Sequence, residues 1–531
     1  MKKLLFALLC LTLCALCACA CADEGTFGDF KYYYFSSGTA WITEYTGSGT
    51  EVVFPAEING YKVVCLRTDG SKNGTVQKVT IPASVTTFHS SNPFERYEAL
   101  QEIAVAPDNE TFAAVDGVLF EKAKKALVSY PRAKEGESYE IREGIKEIGR
   151  YAFHGNLHLQ RVVIPGTVGK IGQGAFNSCK ALTETVIGDG VTLIDARAFS
   201  NCDALTAVTI PGSVTKIEDA AFSDCGALTE VTIPGSVETV GAYAFDLCDG
   251  LKRVAFGEGV KEIGKNAFYC CNSLTDVSLP GSLATIGDEA FGSCLSLTEI
   301  AIPDNVTLGN GAFSGCEKLL TVTVSDANPF LSVRDGVLFS KDGTTLVLYP
   351  RAREAESYEI PAGITRIAPY AFNISVLVHI TIPDTVQEIC KSAFLECRKL
   401  SEIVIPDSVT VIGPDAFRYC LHMESLTLPA NLAVIDEFAF FQCESLTSVV
   451  IPDGVTTIGN QAFSCCHGMQ EITVPESVED IHKLAFDRCE NLTVLVRAGS
   501  YAEARCTELE IPVKVLAEET GEADPWAWLD E

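Results

Sequence analysis

An Ala-Phe pair that returns every 23 residues constrains this chain more than any other feature. The phenylalanines stand at Phe153, Phe176, Phe199, Phe222, Phe245, Phe268 and Phe291, then after 22 residues at Phe313. A second series runs Phe372, Phe394, Phe417, Phe440, Phe463 and Phe486, again with one 22-residue step. A period in this range is that of a solenoid, whose unit is too small to bury its own apolar face and does so only by stacking on the next. The expected product is a long surface built by repetition, with no single dominant pocket.

One repeat shows how the stack is made. From Ala227 it reads Leu228, Val231, Ile233-Pro234, Val237, Val240-Gly241, Ala244-Phe245, Cys248. Val231, Thr232 and Ile233 alternate in, out, in, as a half-buried strand requires. Proline has no N–H for a ladder bond, so Pro234 and its equivalents belong where the strand ends and the chain turns a corner. The glycine after the second apolar pair occurs in eight of the fourteen repeats; Asp195, Glu218, Ala368, Cys390, Asp436 and His482 replace it elsewhere. A left-handed backbone is therefore not obligatory there. Alanine before each phenylalanine permits close backbone approach, and the rings are expected to fill the core as a stack.

The unit L-x-x-I-x-I-P-x-x-V-x-x-I-G-x-x-A-F-x-x-C resembles the BspA-like, or treponemal-type, leucine-rich repeat of secreted and surface proteins of bacteria and some protists. The resemblance covers most of residues 40–513. It implies a right-handed, β-rich leucine-rich repeat solenoid with a parallel sheet along one face, and adhesion or protein binding as the usual role.

A longer duplication overlies the short one. Asp116-Gly117-Val118-Leu119-Phe120 recurs 219 residues later as Asp335-Gly336-Val337-Leu338-Phe339, and Tyr130-Pro131-Arg132-Ala133 recurs as Tyr349-Pro350-Arg351-Ala352. Lys341-Asp342-Gly343, between two apolar runs, is a hairpin signal; Ala123-Lys124-Lys125 is its weaker counterpart. Each block reads as a β-hairpin variant of the solenoid turn. The expected organisation is a leader over 1–22, an N-terminal cap with degenerate repeats over 23–108 and repeat blocks over 109–327 and 328–497. A C-terminal cap over 498–516 and an acidic tail over 517–531 complete it. Caps are needed because end turns would otherwise expose core. Tyr32, Tyr33, Tyr34, Phe35 and Trp41 are read as the N-terminal cap's own core rather than as a carbohydrate platform.

Lys2-Lys3, the apolar run Leu4–Leu16 and Ala20-Cys21-Ala22 have the pattern of a secretion signal cleaved near Ala22. Leu16-Cys17-Ala18-Cys19 also resembles a lipobox, which would make the protein a lipoprotein anchored at Cys19. Either reading exports the chain to the cell surface or beyond, with a membrane contact only through such an anchor. The formal charge of −30 disfavours nucleic acid and anionic lipid as partners.

Twelve cysteines share one repeat position, from Cys179 to Cys489, with Asn156 and Ser375 in the first turn of each block. Spacing equal to the repeat argues for a buried ladder of small side chains, because bridging or zinc-binding cysteines come in local pairs. Cys465-Cys466-His467 is a metal-site fragment with no second half nearby. No H-E-x-x-H helix, G-x-S-x-G elbow or phosphate-binding loop is present. No catalytic, cofactor-binding or metal-binding residue is assigned, and an enzyme is not expected.

The middle outward position of each strand carries small, mostly uncharged residues. Thr209, Thr232, Ser278, Thr427 and Thr473 are the candidate binding residues of this sheet face. A flat strip of this kind can dock an extended partner, although threonine and valine also suit strands anywhere. The reading is an exported, non-catalytic interaction solenoid, adhesin-like, that binds a host, matrix or neighbouring-cell protein. The alternative is a self-associating envelope scaffold.

Overall fold

The computed structural model describes residues 23–68 and 72–516, so the leader with its cleavage site and lipobox, and the acidic tail, lie outside the described residues. The chain forms two compact units, Met1–Leu283 and Ala284–Glu531.

Within the first unit each turn contributes to two parallel ladders. The longer strands pair in register one repeat apart: Glu230↔Arg253, Val231↔Val254, Thr232↔Ala255 and Ile233↔Phe256. Alternation puts Val231 and Ile233 inside and Glu230 and Thr232 outside. After the proline corner a two-residue strand forms the short ladder, as in Thr239↔Glu262 and Val240↔Ile263. A third set of inter-turn bonds runs under the Ala-Phe pairs. The Phe176, Phe199 and Phe222 amides donate to the Ala198, Ala221 and Ala244 carbonyls, each at 2.7 Å. The rings stack accordingly, Phe199 on Phe222 at 5.1 Å and 4°. The second unit repeats this with Phe394 on Phe417 at 4.8 Å and 5°.

Two residues per turn take the left-handed conformation, and neither is the repeat glycine. They are the residue before alanine and the second after phenylalanine, for example Arg197 and Asn201 (φ 57° and 59°) or Tyr243 and Leu247 (both 58°). The repeat glycine serves close approach instead: a Cβ at Gly172 would lie 2.6 Å from the Ile148 carbonyl oxygen one turn away.

Each duplicated block is a three-stranded antiparallel meander. Its strands are Phe112–Val115, Val118–Glu121 and Ala126–Ser129 in the first unit, and Leu331–Arg334, Val337–Ser340 and Thr345–Leu348 in the second. The segments 122–125 and 341–344 turn the chain as their sequences suggest, and there is a further tight turn at Asp116-Gly117 and Asp335-Gly336. All four of those residues have positive φ (52°, 76°, 48° and 74°), as a two-residue hairpin turn demands. The last strand of each meander joins the short ladder in parallel, Leu127↔Ile148 and Leu346↔Ile367. The long ladder is interrupted instead: no strand stands between Glu102–Val105 and Ser138–Glu140, or between Thr321–Val324 and Ser357–Glu359, in register with it. The Tyr-Pro-Arg-Ala segments fill those breaks, and Ala133 and Ala352 donate to the Leu100 and Leu319 carbonyls at 2.8 and 3.0 Å.

The second unit ends on the helix Tyr501–Glu508. Ser500 Oγ caps the helix by accepting from the Glu503 amide at 3.2 Å, while the Glu503 carboxylate accepts from the amide of Gly499, one residue before the cap, at 2.6 Å. Ala502 and Cys506 close the core, and Val513–Val515 adds a last parallel strand on Thr493–Val496.

The first unit begins with an antiparallel meander, Asp23–Phe27, Phe30–Tyr34 and Thr39–Tyr45, which divides the aromatic cluster expected to be core. Phe30, Tyr32 and Tyr34 face inward, with Tyr34 on Tyr61 at 4.8 Å and Phe30 on Phe54 at 5.8 Å. Tyr33, Phe35 and Trp41 stay half-exposed outside that core, because residues on a strand alternate between faces.

Candidate binding face

The long ladder presents two outward rows. The first position of the strands is charged at many turns, at others it is Ser, Thr or Ala, and some of the charges pair along the stack. Arg161 meets Glu184 at 3.0 Å and Arg253 meets Asp276 at 2.9 Å in the first unit; His379 lies 3.6 Å from Glu402 in the second. Exposed pairs of this kind contribute little stability but hold a row of fixed charge. Just before the strand, Thr206 and Thr229 donate their hydroxyls to the Thr183 and Thr206 carbonyls at 3.2 and 3.3 Å. Those hydroxyls are committed to the backbone.

The middle row differs. Thr209, Thr232 and Ser278 are exposed in the first unit, where register places Val186 beside Thr209, and Ala255 between Thr232 and Ser278. In the second unit Thr427 is exposed beside Val404, while Thr473 is half-buried between Val450 and Leu495. Val404 and Val450 are 63% and 68% exposed, so this part of the row alternates hydroxyl with uncovered isopropyl groups. Among the described residues the five candidate hydroxyls have no hydrogen-bond partner in the protein.

Sequence reasoning missed a depression beside this face with anchoring groups. Where the second meander interrupts the long ladder, a hollow of about 640 Å³ opens between Glu299, Leu320 and Thr321 on one side and Arg351, Arg353 and Val376 on the other. Leu320 is 52% exposed. Arg353 Nη1 donates to the Asp335 carbonyl at 2.5 Å and its guanidinium lies 5.5 Å from the Tyr349 ring centre. Arg351 has no ion-pair partner among the described residues, and its buried Nε has no acceptor. The repeated Tyr-Pro-Arg-Ala motif was the available signal, but only the broken ladder turns it into a wall.

The cysteine ladder is buried, as periodicity implied, except at its half-buried last member Cys489, yet it is more than apolar filling. Thiols from Cys179 to Cys271 in the first unit, and from Cys316 to Cys489 in the second, donate to a phenylalanine carbonyl of the preceding turn at 3.0–3.4 Å. Burial pushes the Cys179, Cys225 and Cys397 thiols up to about 12. Asn156, in the cysteine position of the first block's opening turn, spans two turns with its amide: it donates to the Pro131 and Arg132 carbonyls and accepts from the His158 and Leu159 amides. Asn109 and Asn328, 219 residues apart, do the same between turns, donating to the Pro82 and Pro303 carbonyls. Among the described residues no disulfide joins two cysteines, and no three His, Cys, Asp or Glu side chains are placed to share a metal ion. No helix of the described residues is long and apolar enough to cross a membrane.

Comparison with known proteins agrees with this geometry. The model of the BspA type leucine rich repeat region matches in six copies over residues 132–228, 215–334 and 365–493. No curated protein matches the chain. Among solved structures, a leucine-rich repeat protein from Eubacterium ventriosum ATCC 27560 is similar at TM-score 0.50 and 21% identity, over 73% of this chain and 93% of that one. A leucine rich cell surface protein from Faecalibacterium prausnitzii A2-165 is similar at TM-score 0.41 and 24% identity, covering 91% and 96%. The pneumococcal vaccine antigen PcpA gives TM-score 0.40 and 20% identity, covering 94% and 99%.

Proposed function

Because the chain belongs to the BspA type leucine-rich repeat family, we propose that it is an exported, non-catalytic interaction protein that binds a host, matrix or neighbouring-cell protein through the outward face of its long ladder. Leucine-rich repeat proteins of this kind generally bind proteins, and the leader pattern supports a secreted or cell-surface address. The observation that carries the reading is the middle row. On a chain of net charge −30 it is uncharged across the regular turns and largely exposed, with candidate hydroxyls that no protein group uses, and charge enters only at its ends, at Glu140, Glu359 and Lys514. An extended partner could satisfy them turn after turn, and contacts spread over many turns make binding tolerant of single changes. The Arg351 hollow supplies an anchoring point in the second unit that the row itself lacks.

The test compares Thr232→Glu with the triple variant Thr209→Glu, Thr232→Glu, Ser278→Glu in pull-downs from matrix proteins and neighbouring-cell extracts. The single change is expected to leave capture nearly intact and the triple change to abolish it. Unchanged capture by a folded triple variant removes the sheet face as the site. Self-association in light scattering with no foreign partner would favour the scaffold reading instead.

A further inference from the structure

We propose that the first unit carries a second binding site, for a neutral oligosaccharide, made of the outward aromatic face of the N-terminal meander and the polar cleft beside it.

The aromatic part is continuous. Tyr33 and Trp41 are cross-strand neighbours on the side of the meander away from the core. Phe35 packs 5.1 Å from Trp41, and the His89 ring lies 6.4 Å from it. The Arg67 guanidinium sits 5.9 Å from the Tyr33 ring centre. Rings at such positions are half-exposed, where alternation would have allowed threonine or lysine at no cost to the core. A half-exposed indole offers an apolar plate with a wet edge, which suits the C–H face of a pyranose.

His89 also lines the cleft, of about 590 Å³, that opens where the parallel ladder continuing through Thr87–Phe88 gives way to the first inserted meander. This volume is in the range of small-ligand sites. Its charges balance in sign: Glu121, Glu147 and Asp195 against Lys124, Arg150 and Lys170. Lys124 pairs with Glu121 at 3.1 Å, and Lys170 bridges Glu147 and Asp195 at 3.7 and 3.1 Å. Five serine and threonine hydroxyls and the Gln173 amide complete the lining. On a chain of charge −30 this cleft is locally neutral and rich in groups that donate and accept at once. A phosphate or sulfate ester would leave three carboxylates opposed, and a simple cation would leave three basic groups opposed. A polyol, whose every hydroxyl both donates and accepts, matches the lining. The cleft lies on the short-ladder side, distinct from the protein-binding face proposed above.

The test uses the whole protein with Trp526→Phe and Trp528→Phe, which leaves Trp41 as the sole indole of the three in the chain. It is screened on an array of neutral gluco-, galacto-, manno-, xylo- and N-acetylglucosamine oligosaccharides with sialylated and sulfated members alongside, and hits are titrated by fluorescence. A saturable change in Trp41 emission with a neutral member is expected. Gln173→Ala should weaken it at least ten-fold, and calorimetry on Trp41→Ala, with melting unchanged, should show the heat lost. Gln173 lies in the cleft outside the aromatic packing, so it tests the site even if Trp41→Ala unfolds the cap. Silence across the neutral members, binding of anionic members only, or binding unmoved by either variant would each overturn the proposal.

Discussion

The thiol of Cys202 donates to the carbonyl oxygen of Phe176 at 3.2 Å, and the same oxygen receives the Cys179 amide at 3.1 Å. A single carbonyl thus joins three points of two successive turns, and the arrangement recurs along both units. Cysteine suits this place because it is small and apolar enough for a closed core yet still carries a weak donor.

Cys202→Ala should therefore cost more than a methyl-sized loss on a surface. The expected destabilisation is about 1–2 kcal/mol, from the cavity and the lost donor together. Denaturant unfolding of the variant measures it, and an unshifted midpoint would mean the thiol is only filling space.

The ladder makes the protein sensitive to alkali. Burial holds Cys179 and Cys225 at about 12 in the folded state, whereas an unfolded thiol ionises near about 8.5. Below that value both states keep the proton and stability is unaffected. Between the two values the unfolded state binds fewer protons, so each such thiol removes about 1.4 kcal/mol per pH unit as pH rises. The thiols' contribution should be flat to about pH 8 and then fall steeply. Cys225→Ala should reduce that slope, which unfolding curves at pH 8, 9 and 10 would reveal.

Asp246 is a local fault in the stack. Burial, then the Asp224 carboxylate, raise it to about 6, and its buried Oδ1 has no hydrogen-bond partner. A raised carboxyl costs the folded state wherever the unfolded one is ionised, hence above about pH 4. Asp246→Asn is expected to stabilise by about 1 kcal/mol at pH 7, a figure reduced for partial exposure, and to give nothing at pH 4. Melting temperatures at the two pH values decide it.

Arg418 ties the outer turns of the second unit together. Its guanidinium lies 4.8, 5.0 and 5.1 Å from the Tyr419, Phe438 and Phe441 ring centres and bonds Asp415 at 3.0 Å. Arg418→Ala should cost about 2 kcal/mol. Arg418→Lys should recover only part of it, because an ammonium cannot stack as a plane against three rings. Equal stability of all three proteins in urea would refute the clamp.

Much of the turn was readable from residues. Period gave the stack, alternation of Val231, Thr232 and Ile233 gave the inward and outward rows, and Pro234 marked the corner. The candidate row of Thr209, Thr232, Ser278 and Thr427 is indeed exposed, whereas Thr473 is half-covered. The Asp116-Gly117 turn is a stronger hairpin dipeptide than the 123–125 segment, on which the sequence expectation rests. The left-handed residues were not legible, since Arg197, Tyr243 and Leu247 have no propensity for that conformation; the inter-turn bonds of the stack impose it.

The sequence by itself determined the repeat, its inward face and the buried cysteine position, because each follows from a local period that one turn must satisfy against an identical neighbour. Only the tertiary structure decided where the long ladder breaks, which carbonyl each thiol meets, and how the N-terminal aromatics divide between core and surface. Those depend on residues tens to hundreds of positions apart being brought side by side. The physical reason is that stacking energy is periodic and visible in one repeat, whereas a cleft forms where periodicity fails, and its walls come from segments that share no pattern.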